Sequence, residues 1–138
     1  MNVQLVRIKQ SELKTAWHMQ QIGFLDIFLK YFDLINPIFN SYKKFIKYFE
    51  RGDMYWITLN GKHVGQIWIS IKEDCGLLAR IFVLKKYRDK GIAQQAILLS
   101  ESFYPDCRRW CLDTIMQEKR NCHLYEKLGY IPHNIRKA

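Results

Sequence analysis

Residues 77–96 join an apolar run, a basic turn and a segment that opens on Gly91 and Ala93. Read as strand, turn and helix, this order leaves the N–H groups of the first helical turn pointing outward with no side chain in front of them. The first four N–H groups of a helix have no partner inside it, and the aligned peptide dipoles make that end positive. Together they bind phosphate or pyrophosphate. Arg88 and Lys90 bring formal charge to the same place. The chemistry expected there is capture of an anionic, phosphorylated ligand. The plain alternative is a solvated turn that uses Gly91 only for its backbone geometry.

The spacing narrows the choice. Neither G-x-G-x-x-G nor G-x-x-x-x-G-K-[ST] occurs, so the dinucleotide fingerprint and the Walker loop are both absent. Arg88-x-x-Gly91-x-Ala93, five residues after Val83, resembles the coenzyme A loop of the GCN5-related N-acetyltransferase (GNAT) family, Arg/Gln-x-x-Gly-x-Gly/Ala. A second match follows in the right order. Residues 111–115 read as a strand, and Leu124-Tyr125-Glu126-Lys127-Leu128-Gly129-Tyr130 is similar to the Leu-Tyr-Glu-Lys-Leu-Gly-Phe ending of the family's last helix. Gly129 suits the position just after a helix and Lys127 its last turn.

The resemblance implies an α/β GNAT fold: a mixed central sheet in the order β-α-α-β-β-β-α-β-α-β, flanked by helices, with a C-terminus shortened by one strand. It implies one domain over 1–138, with an acceptor-side helical region at 11–52, the pyrophosphate motif at 77–104 and a second cofactor motif at 109–130. It also implies acetyl-CoA as co-substrate, no metal, and acetyl transfer to a primary amine of a small molecule or protein by direct attack in a ternary complex. The pantetheine arm would lie along residues 77–84 and bond to Ile81, Phe82 and Val83, with the Ile81 N–H on the thioester oxygen. The pyrophosphate would rest on the N–H groups of Asp89, Lys90, Gly91, Ile92 and Ala93, with Arg88 alongside and Gln94 and Asn121 among the cofactor contacts. Tyr125 matches the tyrosine that serves the leaving sulfur.

Two departures concern the chemistry. The family's usual Asn stands seven residues before the Tyr, where this chain has Glu118; Asn121 falls where Ala is common. The position from which some members supply a catalytic Glu holds Leu77. Asp113, which a strand would pin in place, is therefore the general base favoured here, ahead of Glu73, Asp74, Asp33, His18 or a water chain.

Composition limits the other classes. The 138 residues are 49% hydrophobic with net charge +9, enough for a core and strongly basic. The basic residues are dispersed, which favours steering of an anionic cofactor over nucleic-acid binding. No stretch has the length of a membrane span, and the first residues lack signal-peptide character, so the expected location is cytoplasmic. Cys75, Cys107, Cys111 and Cys122 are then expected to be reduced and mostly buried, and the C-x-x-x-C spacing fits neither a zinc knuckle nor a redox pair. A non-catalytic acyl-CoA-binding module and a basic nucleic-acid binder remain as alternative functions.

Periodicity predicts the elements that would hold these residues. Residues 3–8 alternate as a strand. Helical spacing runs from Ser11, taken as N-cap, through a break at Gly23, to Asn36-Pro37. Ser41 caps a second helix with Tyr42, Phe45, Ile46 and Phe49 on one face, ended by Gly52. Residues 54–59 and 63–71 form a hairpin about Asn60-Gly61. A loop at 73–76 leads to a strand over 77–84. A helix over 91–104 buries Ile92, Ala96, Leu99 and Phe103; a strand over 109–115 and a helix over 119–128 follow. A missing final strand would leave a sheet edge open, covered, or completed by a second copy in a homodimer.

Overall fold

The computed structural model describes residues 2–31, 41–73 and 75–112, with 24–31 and 112 described by backbone alone. Strands β1 (Val3–Arg7), β2 (Asp53–Leu59), β3 (Lys62–Lys72), β4 (Cys75–Val83) and β5 (Arg109–Leu112) make one sheet in the order β1-β2-β3-β4-β5. Neighbours from β1 to β4 are antiparallel, and β5 lies parallel to β4. A parallel neighbour requires a crossover, which helix α3 (Ile92–Phe103) supplies. Helices α1 (Leu13–Tyr31) and α2 (Tyr42–Arg51) fill the connection from β1 to β2. The mixed α/β architecture expected from the sequence is thus present through β5. The last expected helix, 119–128, and everything else after Leu112, including Asp113, Asn121 and Tyr125, lie outside the described residues.

Alternation along the strands sends successive side chains to opposite faces. Tyr55, Ile57, Ile67, Ile69 and Leu78 pack with Ile92, Ala96 and Ile97 of α3 on one face. Met54, Trp56, Trp68 and Ala79 pack with Leu13 and Ala16 of α1 and Phe45 of α2 on the other. Trp56 is 1% exposed, and its indole N–H is satisfied by Glu12 Oε1 at 3.1 Å.

Several local signals act as expected. Asn60 and Gly61 both take positive φ, 51° and 85°, the pair a type I′ hairpin needs. The Ser41 side chain accepts the Lys44 N–H at 3.3 Å and caps α2. Others need correction. Ser11 does not cap α1: it lies within a 3-10 turn (Gln10–Glu12), where Glu12 Oε1 takes the Lys9 N–H at 2.9 Å. Gly23 does not break α1, which runs through it to Tyr31. A Cβ on Gly23 would strike the Phe82 ring, so this glycine serves close approach of helix to sheet. Cys75 and Gly76 belong to β4 rather than to a loop; a Cβ on Gly76 would collide with the Trp110 ring of the neighbouring strand. On α3 the buried residues are Ile92, Ala96, Ile97 and Ser100, whereas Phe103 is 43% exposed and sets its ring edge-on to Tyr55. Cys75, Cys107 and Cys111 are half-buried rather than fully so.

The far end of α3 is tied to the sheet through phenols. Tyr104 donates to Asp53 Oδ2 at 2.6 Å and shares a 2.9 Å hydrogen bond with Tyr55, while Arg7 pairs with Asp53 Oδ1 at 3.0 Å. Burial, with the Asp53 carboxylate alongside, pushes the Tyr104 hydroxyl well above the usual phenol range, so it stays a donor. No described helix is long and apolar enough to cross a membrane.

Candidate active site

The chemistry expected of residues 81–94 depends on which peptide groups β4 leaves to its β5 side. Pairing with β3 slips by one residue: Gln66 faces Phe82, but Trp68 faces Ala79. The extra residue is a β-bulge at Arg80, whose φ is +51°. Beyond it the alternation is fixed by the Leu84 N–H, which bonds to the Val64 carbonyl at 2.8 Å. Phe82 therefore turns its N–H and C=O toward β3, and Ile81 and Val83 turn theirs the other way. On that other side, pairing with β5 reaches only Leu78 opposite Leu112 among the described residues.

Ile81 and Val83 thus turn their N–H groups to the side of β4 away from β3, where the Val83 carbonyl is taken by Arg88. The Phe82 backbone serves the sheet and its ring lies against Gly23. All three side chains are buried.

The turn after β4 is held by its own arginine. Arg88 Nε donates to the Val83 carbonyl at 2.7 Å and Nη2 to the Gly23 carbonyl at 3.0 Å. The sequence reading set this guanidinium beside a pyrophosphate. The structure shows it clamping the end of β4, the turn and α1 together. A 3-10 turn (Lys85–Tyr87) precedes it, and Asp89 (φ 67°) and Gly91 (φ 78°) then reverse the chain into α3. Gly91 is the residue before the helix, and no atom lies within 4 Å of where its Cβ would stand. Its role is the left-handed backbone, and the space before it is open.

The Gly91 carbonyl accepts the Gln95 N–H at 3.1 Å, which starts the helix. Among the described residues, none of the N–H groups of Lys90, Gly91, Ile92, Ala93 and Gln94 is spent on a turn, loop or cap hydrogen bond. Asp89 and Lys90 are exposed and Ala93 is half-buried. The positive end of a 12-residue helix, its unspent donors and the exposed Lys85, Lys86 and Lys90 all fall in the one stretch that follows β4.

The remaining base candidates within the described residues are remote in character. Glu73 is an exposed turn residue with φ 58°, and His18 is exposed on α1 with its ring tilted on Trp17 at 4.9 Å. Asp33 and Asp74 lie outside the described residues with Asp113. Leu77, at the position of the family's Glu, packs into the core on the α1–α2 side. Sequence reasoning missed Arg80. A bulge carries no Gly or Pro signal here, so nothing local announced it.

Comparison with known proteins agrees with this geometry. Residues 22–130 match the family model described as Acetyltransferase (GNAT) family. No curated protein sequence matches the chain. Among solved structures, the fold is similar to that of the PaiA N-acetyltransferase from Thermoplasma acidophilum in complex with coenzyme A (TM-score 0.71, 14% identity, covering 92% of this chain and 88% of that one). It is similar also to the ribosomal-protein-S18-alanine N-acetyltransferase from Escherichia coli (TM-score 0.68, 22% identity, 93% and 77%). A GNAT family acetyltransferase from Elizabethkingia anophelis with acetyl-CoA bound gives TM-score 0.64 at 14% identity, covering 92% and 74%. With a family model matching most of its length, the chain belongs to the GNAT acetyltransferase family.

Proposed function

We propose that the protein transfers the acetyl group of acetyl-CoA to a primary amine of a small molecule or protein, by direct attack within a ternary complex. The observation that carries the reading is the set of main-chain donors of residues 90–94 at the head of α3, which follows a strand whose Ile81 and Val83 N–H groups turn away from β3. A pantetheine arm can extend β4 along Ile81 and Val83 while a pyrophosphate meets residues 90–94. The solved relatives whose complexes hold coenzyme A or acetyl-CoA support that choice of co-substrate.

Acetyl-CoA supplies an activated thioester; the chain supplies position and polarity. The Ile81 N–H donates to the thioester oxygen as negative charge gathers there. The N–H groups of Lys90, Gly91, Ile92, Ala93 and Gln94 hold the pyrophosphate, with Asp89 in the same turn. Arg88 fixes the turn that presents them. Asp113 takes the proton from the attacking amine, and Tyr125 gives one to the departing sulfur, so the C–N bond forms as the C–S bond breaks with the enzyme's net charge unchanged, and a proton returning from Asp113 to Tyr125 through solvent resets the pair. Asn121 is assigned to the pantetheine.

Leu77, at the position from which some members of the family supply a catalytic Glu, favours a second reading, a coenzyme A-binding module without turnover. Mass spectrometry of the purified protein for co-purifying acyl-CoA, followed by amine-dependent thiol release across an acceptor panel, separates the two. Bound acyl-CoA with amine-stimulated thiol release is the expected result. Binding without release selects the module, and no binding by calorimetry removes both.

A further inference from the structure

Four non-glycine residues among those described have positive φ: Asn60, Glu73, Arg80 and Asp89. Three stand in turns. Arg80 alone stands inside a strand, at the β4 bulge. A left-handed backbone costs an L-residue about 1–2 kcal/mol and glycine almost nothing, so glycine would be the easier occupant. An arginine kept there invites the question of what its side chain does.

The side chain reaches the α1–α2 side of the sheet. Its Cζ lies 3.9 Å from the centroid of the Tyr48 ring on α2, and Nη1 meets Gln20 Oε1 of α1 at 3.5 Å, the limit of a hydrogen bond. Tyr48 is itself a fixed platform: Trp68 Nε1 donates to its carbonyl at 2.8 Å and the two rings meet edge to face at 5.5 Å. Gln20 is buried. The guanidinium is thus half-buried and held flat between two helices and the bulge. Among the described residues no carboxylate pairs with it, and its remaining N–H groups have no hydrogen-bond acceptor. A cation so placed is short of a counter-charge. The face of the guanidinium is taken by Tyr48 and Nη1 by Gln20; the Nε–Nη2 edge, which matches a carboxylate in bidentate fashion, is not taken.

We propose that Arg80 anchors a carboxylate of the acceptor, so that the amines acetylated here carry an acidic group. This inference rests on the acetyltransferase reading above. Ile81, the next residue, supplies the N–H assigned to the thioester oxygen. Acceptor anchor and reacting carbonyl are therefore set by consecutive residues of one bulge, which keeps their separation fixed. One fork with one positive charge suits a carboxylate.

The test uses product-like pairs that differ only in the carboxylate: N-acetyltyrosine against N-acetyltyramine, N-acetylleucine against N-isopentylacetamide, and N-acetylalanine against N-ethylacetamide. Each is titrated calorimetrically into the full-length protein saturated with coenzyme A. The expected result is at least tenfold tighter binding of the carboxylate member in one pair or more. Arg80→Gly and Arg80→Gln are expected to erase that preference without weakening the neutral member, and Arg80→Lys to restore part of it. Arg80→Gly relieves the positive φ, so its thermal midpoint reports that the fold is kept. No preference in any pair, or a preference that survives Arg80→Gln, overturns the proposal. Coenzyme A binding in the first step is a separate readout: its absence strikes the acetyltransferase reading, whereas intact coenzyme A binding without carboxylate preference strikes the Arg80 anchor alone.

Discussion

The Arg88 guanidinium donates to the main-chain carbonyl of Gly23, 65 positions earlier in the chain, at 3.0 Å, while its Nε holds the Val83 carbonyl at 2.7 Å. One planar side chain thereby joins α1, the end of β4 and the turn that opens α3. Gly23 makes the approach possible, because a Cβ there would meet the Phe82 ring. Arg88→Lys keeps the charge and loses the fork. Hydrogen bonds to charged groups are worth about 1.5–3 kcal/mol each, so a loss of that order in urea unfolding is expected. Coenzyme A affinity should fall at least tenfold with it as the turn loosens. A variant with wild-type stability would show that the clamp holds nothing.

Gly91 gives a cleaner test of the turn, since no neighbour fills the space before it. Gly91→Ala should cost about 1–2 kcal/mol through its φ of 78° alone. Gly91→Asn should cost less, because asparagine visits that region more readily. Gly91→Glu places a carboxylate where the pyrophosphate is proposed to sit; the protein should remain folded and lose coenzyme A binding. Unchanged affinity by calorimetry would remove the phosphate assignment.

The legible parts of this chain were those whose physics is local. Asn60-Gly61 can hardly be other than a tight hairpin, Ser41 before an amphipathic run is a cap, and Gly91-x-Ala93 after a β-rich run is a helix start with bare amides. The rest depended on partners distant in sequence. A glycine inside a helical pattern reads as a break, yet Gly23 is spared that role by the ring it packs against. Arg88 reads as a phosphate ligand because the carbonyls it binds belong to α1 and β4. The bulge at Arg80 has no signature of its own: it exists because β3 and β4 must keep their apolar faces aligned on both sides of an extra residue. On α3 Ile92 and Ala96 are buried as the spacing predicts, while Ile97 rather than Phe103 completes the buried face.

The start of α1 carries a pH dependence. Glu12 accepts the Lys9 N–H at 2.9 Å and the Trp56 indole N–H at 3.1 Å, and these bonds, the first above all, hold its carboxyl below the usual glutamate range. A depressed folded-state value contributes stability that is present above the unfolded value and is lost as pH falls through the folded one. The stability gap between wild type and Glu12→Gln should therefore be constant at neutral pH and shrink below roughly pH 4.3. Urea unfolding of both proteins at pH 7, 5 and 3 measures it; a gap unchanged at pH 3 would mean that the charge on Glu12 is immaterial.

Tyr104 sets the other end of α3. Its hydroxyl is the shared partner of Asp53 and Tyr55, so Tyr104→Phe leaves both short of a hydrogen bond while keeping the ring against Trp110. A loss of about 1–3 kcal/mol is expected from the orphaned groups. Since the helix start is pinned separately by Arg88, coenzyme A affinity should change less than threefold. A large loss of affinity with intact stability would show instead that the two ends of α3 are coupled.

Tyr125 tests the chemistry itself. In the proposed reaction its hydroxyl supplies the proton that the departing thiolate takes, and general acid catalysis of this kind is worth about 10²–10⁴ in rate. Tyr125→Phe should lower turnover at least tenfold while leaving the coenzyme A dissociation constant and the thermal midpoint near wild type. If the phenol only anchors its helix, the order reverses, with stability falling and the rate per folded molecule preserved. Steady-state thiol release, normalised to active sites by coenzyme A titration, distinguishes the two, and a wild-type rate in Tyr125→Phe would pass the role of acid to solvent.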